Sequence, residues 1–230
     1  MANFILVHGS GENASCWARV GDWLAGRGHG VVAPDLPKSA PEWGLADYAG
    51  EIARAIVEPG SVVVAHSFSG VLLPLVAELR ECALLVFLAA VVPEPGKSVR
   101  EQFAADPGMF SPAWIAAGAR WFHRAQQEQI AREFLLHDCD EETLPWALST
   151  VDLFDTRHLI TEPSPLAAWP QVPCASIVAT GDRTLTADWG RRITRRVLGK
   201  EAIEIEAGHC PHVTRAGDTA RLLERLATGS

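Results

Sequence analysis

A serine with small neighbours ends a short apolar run at residues 61–70, Ser-Val-Val-Val-Ala-His-Ser-Phe-Ser-Gly. The run is rich in β-branched residues and favours a buried strand, whereas the apolar segment after Gly70 favours a helix. Ser67 would then lie on a sharp strand-to-helix turn, which holds a nucleophilic serine in a strained conformation. Such a turn needs small side chains two residues either side, and Ala65 and Ser69 replace the two glycines of the G-x-S-x-G pattern.

Ser69 is the alternative nucleophile in the same turn. If Ser69 were the nucleophile, the β-branched Val71 would occupy the crowded position two residues later, so the sequence favours Ser67. The other interpretation is an ordinary buried strand-turn-helix whose serines have no chemical role. The distinction depends on whether partners for the serine exist elsewhere in the chain.

A serine nucleophile needs a base, and the base needs an acid that orients it. Among the eight histidines, His209 follows the last predicted strand in the sequence Glu-Ala-Gly-His and is the predicted base. His212 is interpreted as a histidine of the rim or the core. His66 directly precedes the nucleophile, so we expect its side chain to point away from it.

The acid is expected at the end of a strand between the serine and the histidine, because one known chain order of such triads is Ser, Asp or Glu, then His. Asp182 follows the predicted strand and turn Ile-Val-Ala-Thr-Gly and is the predicted acid. Asp188 is interpreted as a helix N-cap. Glu94 is the minor alternative, and Asp35, which precedes the serine, is expected to shape a loop.

Acyl transfer also needs hydrogen-bond donors aimed at the oxyanion. The first predicted strand ends in His-Gly-Ser-Gly, where glycines let backbone N–H groups approach a ligand. The backbone N–H groups of Ser10 and Phe68 are the predicted donors, and Gly9 is predicted to contact the substrate. A nucleotide-binding loop is disfavoured because Ala14 replaces the third glycine of G-x-G-x-x-G and no P-loop lysine follows.

Short apolar segments alternate with helix-length segments, which predicts an α/β fold with a parallel sheet and helices on both faces. The predicted strands lie near residues 4–7, 30–33, 62–65, 84–88, 176–179 and 202–206. The predicted helices lie near residues 16–26, 45–56, 70–79, 189–198 and 214–227.

The alternation breaks once, because no comparable buried strand occurs between residues 88 and 176. Helical patterns near 111–122, 126–134 and 141–154 fill the gap, where a structureless loop would be improbable. We therefore predict a core formed by residues 1–92 and 169–230, with a helical lid at 93–168 inserted after the fourth strand. The lid would cover the carboxyl ends of the strands, where α/β sheets bind ligands.

Aromatic residues are frequent in the predicted lid, and most of them are expected to pack the lid against the sheet. They are Phe103, Phe110, Trp114, Trp121, Phe122, Phe134, Trp146 and Phe154. A few would line an apolar substrate pocket, and the candidates are Trp114, Trp121, Phe122 and Trp146. The acidic run at 138–142 is interpreted as a solvated helix start, not as a metal site.

The chain has 230 residues, of which 48% are hydrophobic and 21% are charged. This composition indicates a soluble globular protein. A net charge of −8 without a Lys/Arg-rich run argues against nucleic acid or an anionic membrane as a partner. The first residues lack a basic region and a long apolar run, so a cytoplasmic location is expected. Five scattered cysteines give no zinc spacing, so we expect no metal. We further expect a small-molecule substrate as the partner, and a monomer or homodimer.

These residues resemble the α/β-hydrolase superfamily along the whole chain. Within it, the chain is similar to the small esterases related to plant methylesterases and hydroxynitrile lyases and to their bacterial relatives. The resemblance implies a six-stranded parallel sheet of order 2-1-3-4-5-6, a Ser67–His209–Asp182 triad and no cofactor. It is carried by residues 4–9, 16–17, 32–37, 65–70, 88–96, 137–139, 179–182 and 208–212.

Two positions distinguish chemistries within that subgroup. Hydroxynitrile lyases of this kind carry a threonine directly after the first-strand histidine and a lysine directly after the catalytic histidine. Here those positions are Gly9 and Cys210. Without the lysine a cyanide leaving group has no cationic partner, so the sequence favours an esterase over a lyase.

The predicted function is hydrolysis of a small or medium, apolar or aromatic carboxylic ester or thioester through an acyl-enzyme on Ser67. One alternative is a non-hydrolytic step on the same scaffold, catalysed by a lyase, cyclase or decarboxylase. Another is a ligand-binding protein that has lost its chemistry, and the complete set of triad residues argues against it.

Overall fold

The computed structural model describes residues 1–38, 40–121, 123–153 and 156–229. Within these residues six parallel strands form one sheet in the order β2-β1-β3-β4-β5-β6, which confirms the predicted α/β fold and strand order. Each predicted strand falls on an observed one, with ends that differ by two residues at most. The strands are β1 Asn3–Val7, β2 Gly30–Val32, β3 Ser61–His66, β4 Cys82–Leu88, β5 Cys174–Ala179 and β6 Ile203–Ile205.

Helices separate successive strands and follow the last one. The α-helices are α1 Ala18–Ala25, α2 Leu45–Ala55, α3 Leu73–Leu79, α4 Val99–Ala105, α5 Pro112–Trp121, α6 Gln127–Ile130, α7 Leu144–Ser149, α8 Ala187–Ile193, α9 Pro211–Thr214 and α10 Ala216–Thr228. Short 3₁₀ helices cover Ala14–Trp17, Ser67–Leu72, Pro107–Met109, Arg124–Gln126 and Leu159–Thr161, and π-helical turns cover Ala131–Leu135 and Thr194–Leu198.

The sheet has a hydrophobic core on each face, which explains why its strands are continuous apolar runs in the sequence. Successive side chains of β1 alternate between the two cores. Ile5 and Val7 belong to the core that contains buried residues of α2, α3 and α8. Phe4 and Leu6 belong to the core that contains buried residues of α1 and α10. Layers of helices therefore cover both faces, as the sequence predicts.

The register brings the carboxyl ends of the strands to one edge of the sheet. Val7 of β1 pairs with Ala65 of β3, which in turn pairs with Phe87 of β4. Further along the same sheet, Ala179 of β5 pairs with Ile205 of β6. Residues that directly follow these strands therefore meet at this edge, although they are far apart in the chain.

The segment between β4 and β5 is helical and contains α4 to α7. One helix differs from its prediction: residues 141–154 were expected to be helical, but α7 covers only Leu144–Ser149. Asp140 accepts a hydrogen bond from the Thr143 N–H before the helix, and Val151 after it forms a β-bridge to Glu12. A β-bridge at Val151 therefore replaces helix at that residue, and residue 154 of the predicted helix lies outside the described residues.

Two further details differ from the predictions. Helix α4 has no predicted counterpart, although Ser98 and Glu101 form a capping box at its start. The predicted C-terminal helix is divided at Arg215, whose backbone is non-helical. No helix in the described ranges is both long and apolar enough to span a membrane.

Gly70 anchors the 3₁₀ helix Ser67–Leu72 against the chain that follows β4. A Cβ atom at Gly70 would lie 2.3 Å from the Val91 carbonyl oxygen and 2.9 Å from the Ala90 Cβ. The same segment is held by the Val91 N–H, which donates to the Ser67 carbonyl at 3.0 Å. Only glycine allows this close approach.

Gly70→Ala is therefore expected to lower the free energy of unfolding by about 1–3 kcal/mol, because the new methyl group forces the backbone apart. The matched control is Gly50→Ala in α2, where a Cβ meets nothing within 4 Å. That change should stabilise the protein by roughly 0.5–1 kcal/mol, since alanine is the better helix former. Urea unfolding measures both, and a Gly70→Ala variant as stable as the wild type would contradict the packing argument.

Candidate active site

Ser67 directly follows β3 and begins a 3₁₀ helix, so it lies at a strand-to-helix turn. Its φ angle is 56°, in the left-handed region that residues with a side chain rarely adopt. The sequence predicted a strained turn at this position, and the backbone of Ser67 has that strain. Residues held in such conformations cluster at functional sites.

The two serines of the turn have different surroundings. Ser69 is fully buried, and its hydroxyl donates to the His8 carbonyl at 2.6 Å. The Ser67 hydroxyl lies 2.9 Å from His209 Nε2. The structure therefore brings Ser67 to the predicted base and gives Ser69 a structural partner.

His209 also contacts the predicted acid. Its Nδ1 atom lies 2.7 Å from Asp182 Oδ2, and both side chains are almost completely buried. Because a carboxylate only accepts hydrogen bonds, Nδ1 carries the proton and Nε2 is free to accept from Ser67. The three residues predicted from their order in the chain therefore form one hydrogen-bonded series.

Thr184 is a further polar partner of Asp182 and His209, and it was not predicted from the sequence. Its hydroxyl lies 2.9 Å from Asp182 Oδ1 and 2.7 Å from His209 Nδ1. The Asp182 carboxylate also accepts the backbone N–H groups of Thr184 and Leu185. These contacts fix the carboxylate, and a hydroxyl residue shortly after the predicted acid was the only signal for them.

The alternative carboxylates lie in other contacts. Glu94 pairs with Arg196 at 2.9 Å, and Asp188 pairs with Arg191 at 2.7 Å. The prediction that Asp188 is the N-cap of α8 is wrong, because the Thr186 side chain caps that helix. Asp188 lies instead in the first turn, where a negative charge is also favourable.

Two other acidic residues hold loops of the site. Asp35 accepts the Ala14 N–H at 3.0 Å, in line with the loop-shaping role predicted for it. Asp138 was predicted to be part of a solvated helix start, but its Oδ2 accepts the Gly208 N–H at 2.8 Å and the Thr214 hydroxyl at 3.0 Å. Asp138 therefore supports the loop that carries His209.

The loop after β1 passes between the Ser67 turn and the helical segment. A Cβ atom at Gly9 would lie 2.8 Å from His66 Nδ1 and 2.9 Å from Ser67 Cβ, so this position has no room for a side chain. At Gly11 a Cβ would lie 2.8 Å from the Trp121 ring. The loop is therefore enclosed on both sides.

A cavity of about 680 Å³ opens over Ser67 and His209. Its walls are mostly apolar, which is typical of sites for small organic ligands. On the sheet side it is lined by Gly9, Ser10, Gly11, Ser67, Phe68 and His209, and on the helical side by Phe103, Phe110, Trp114, Ile115 and Trp121 among others.

The predicted pocket residues divide into three groups. Trp114 and Trp121 line the cavity, as does Gly9. Trp146 is not among the lining residues, and its ring instead packs against the Arg19 guanidinium, whose carbon lies 4.4 Å from the ring centre. Phe122 lies outside the described residues.

A buried carboxylate, Glu12, was not predicted, and it lies with His66 among the residues that line the cavity. Glu12 is only 3% exposed. Its Oε2 lies 2.8 Å from His66 Nδ1, and its Oε1 lies 3.1 Å from His212 Nε2. The other His66 nitrogen, Nε2, donates to the His209 carbonyl at 2.8 Å. His212 is therefore a core histidine, one of the two possibilities that the sequence left open.

The pKa shifts follow from this arrangement. Burial alone would raise the pKa of Glu12, but the neighbouring His212 and His66 hold it well below its ordinary value. Burial alone would lower the pKa of His66, but the charge and hydrogen bond of Glu12 raise it. Burial, together with the charge on His66, lowers the pKa of His212 to about 4. The group is therefore a carboxylate, an imidazolium and a neutral imidazole.

The same group contains side chains of types that bind metals. Ligand atoms of Glu12, His66 and Cys210 lie within 4.8 Å of one another, as do those of Glu12, Cys16 and His212. Both Glu12 oxygens already have a histidine partner at hydrogen-bond distance. The arrangement is therefore that of a hydrogen-bonded network.

A parallel sheet with a serine on a strained strand-to-helix turn, followed in the chain by Asp and His, defines the α/β-hydrolase class. The chain belongs to the alpha/beta hydrolase family, whose model matches residues 4–222. It is 36% identical over 108 residues to "Probable esterase PIR7A" of Oryza sativa subsp. indica, a match that covers 41% of each chain. The chain thus spans about two fifths of that relative's length.

Two further comparisons complete this placement. "Norfluorocurarine synthase 2" of a Strychnos species is 35% identical over 105 residues, which is 40% of each chain. The crystal structure of a pyrethroid hydrolase from Sphingobium faniae superposes with a TM-score of 0.76 at 22% identity, over 99% of this chain and 97% of that one. That likeness shows a shared fold.

The low pKa of His212 predicts that acid destabilises the protein. The pKa of this histidine is 6.5 in the unfolded chain and about 4 in the folded protein. Below pH 6.5 the unfolded state therefore binds a proton that the folded state does not. The contribution of His212 to the free energy of unfolding should fall by up to about 3 kcal/mol between these two pKa values.

His66 acts in the opposite direction near neutral pH. Its pKa is raised in the folded protein, so its stabilising contribution grows as the pH falls through 6.5 and is constant at lower pH. The loss caused by His212 is therefore measured by comparing two proteins that both contain His66. Urea unfolding at about pH 7 and about pH 4.5 measures the loss in the wild type and in His212→Phe. The variant should lose less stability on acidification, and an equal loss in both proteins would contradict the assignment.

Proposed function

We propose that this protein is a serine hydrolase that cleaves a small or medium, apolar or aromatic carboxylic ester or thioester. The observation that carries the proposal is the hydrogen-bonded series of Ser67, His209 and Asp182 at the floor of an apolar cavity. The similarity to a probable esterase supports the same reaction class.

In the proposed reaction Ser67 Oγ attacks the acyl carbon while its proton passes to His209 Nε2. The tetrahedral intermediate then breaks its bond to the leaving oxygen or sulfur, which receives that proton from His209. A water molecule, deprotonated by His209, next attacks the acyl-enzyme, and Ser67 recovers its proton as the acid leaves. Asp182 stabilises the imidazolium that forms in both halves of the reaction.

The oxyanion of each intermediate needs donors on the side of Ser67 away from His209. We assign this role to the backbone N–H groups of Ser10 and Phe68, since both residues line the cavity next to Ser67. The absence of space for a side chain at Gly9 supports this role, because it lets the Ser10 backbone come close to the reacting carbonyl.

The residues at positions 9 and 210 favour an esterase over a hydroxynitrile lyase. A threonine side chain at Gly9 would collide with His66 and Ser67. Cys210, at the position of the lyase lysine, is buried and its pKa is raised well above the ordinary value by burial, so it is an uncharged thiol. A departing cyanide would have no cation at either position.

Ser67→Ala tests the nucleophile, with Ser69→Ala as the matched control. Loss of the Ser67 hydroxyl should lower kcat for p-nitrophenyl butyrate by about 10³-fold or more, because no other group can form the acyl-enzyme. Ser69→Ala loses only the bond to the His8 carbonyl and should keep kcat within about tenfold of the wild type. Circular dichroism checks folding, and unchanged turnover in Ser67→Ala would refute the proposal.

A non-hydrolytic reaction on the same residues is the second candidate, and the similarity to a norfluorocurarine synthase is the observation that favours it. A panel of p-nitrophenyl acetate, butyrate and benzoate separates the two candidates. A hydrolase with this cavity should turn over all three, with kcat/KM higher for butyrate and benzoate because they bury more apolar surface. Stoichiometric acylation of Ser67 without turnover on every ester would favour the second candidate.

A further inference from the structure

The loops that carry the three proposed catalytic elements converge on one buried carboxylate, Glu12. Glu12 lies two residues after Ser10, on the loop that follows β1. Its two oxygens face His66, which directly precedes Ser67, and His212, which lies three residues after His209. A hydrogen bond from His66 to the His209 carbonyl links the Ser67 turn directly to the His209 loop.

The protonation of this group follows from its geometry. A carbonyl oxygen only accepts hydrogen bonds, so His66 Nε2 must carry a proton to bond the His209 carbonyl. His66 Nδ1 faces the ionised Glu12 and must also carry a proton. His66 is therefore an imidazolium paired with a carboxylate, and His212 Nε2 donates to the second carboxylate oxygen.

Glu12 therefore has two effects: it balances the charge on His66, and it connects the loops that carry Ser67 and His209. The His66 and His209 rings lie 4.8 Å apart between their centres, so an unpaired charge on His66 would oppose protonation of His209. The Glu12 carboxylate neutralises that charge. Among the described residues, the titratable groups close to the network include Cys16 and Cys210, whose thiols are neutral, together with Asp182 and His8.

We propose that Glu12 is a positioning residue for ester hydrolysis: its carboxylate, bonded to His66 and His212, holds the Ser10 loop in register with Ser67 and His209. This inference rests on the proposed function. Glu12 is one of the residues that line the cavity, but its side chain is only 3% exposed and both its oxygens face histidines, so the proposed role acts through its neighbours. Its effect should therefore fall on kcat, because the oxyanion donor and the base are used in the transition state.

Glu12→Ala and Glu12→Gln test the proposal together. Alanine removes both bonds and releases the loop, so kcat per active site should fall by about ten- to a hundredfold while KM changes by less than about threefold. Glutamine can donate its amide N–H to a neutral His66 and accept from His212, which keeps the bridge without charge. Glu12→Gln should therefore keep kcat within about fivefold of the wild type.

Active sites are counted by titration with a fluorophosphonate, so that loss of folded protein is not scored as loss of rate. Wild-type kcat in Glu12→Ala would overturn the proposal, and so would an equally large loss in Glu12→Gln. If Glu12→Ala does not fold, His212→Phe decides, because phenylalanine can keep the contact with Trp17 and removes only the bond to Glu12. Its kcat should fall by at least about threefold, and an unchanged kcat would overturn the proposal.

Two readouts do not depend on ester turnover. Nitrogen-15 NMR of the histidine rings should show His66 protonated on both nitrogens in the wild type and on one in Glu12→Gln. A singly protonated His66 in the wild type, or one zinc ion per chain in the purified protein, would overturn the network. An inactive wild type with the expected NMR spectra would refute the proposed hydrolysis alone, so the two failures are distinguishable.

Discussion

The backbone of Ser67, held at φ 56°, is the constraint on which the rest of the site depends. A left-handed residue with a side chain costs free energy, so its surroundings must hold it in place. They do so by close approach: Gly9 leaves no space beside Ser67, and Gly70 lies against the Val91 carbonyl. The Ser69 hydroxyl ties the turn to His8. The strain at Ser67 is thus supported by contacts with the loop after β1 and with the chain after β4.

The fold was predictable because its signals are local. Strands buried on both faces are apolar runs, and their alternation with helices leaves few possible topologies. The residues after the strand ends were predictable for the same reason, since parallel strands bring their carboxyl ends to one edge. The order Ser67, Asp182, His209 could thus be inferred without a structure, and the contacts at 2.9 and 2.7 Å agree with it.

The remaining features depend on packing between distant segments, which one sequence does not encode locally. In the sequence Glu12 is one polar residue of a glycine-rich loop with no distinguishing neighbours, and only the fold brings it to His66 and His212. Trp146 was expected in the pocket because of its type, but the direction of its side chain depends on where α7 begins and on Arg19. Asp138 was expected in solvent and instead accepts a bond from the loop of His209.

In the proposed site a strained serine and a histidine base held by Asp182 lie at an apolar cavity, next to a buried network whose charges balance. Ser67 is the residue proposed to become acylated. Peptide mapping by mass spectrometry after fluorophosphonate labelling identifies the serine that reacts. One adduct per chain on Ser67 is expected, and an adduct on Ser69, or none on a folded protein, would refute the proposed nucleophile.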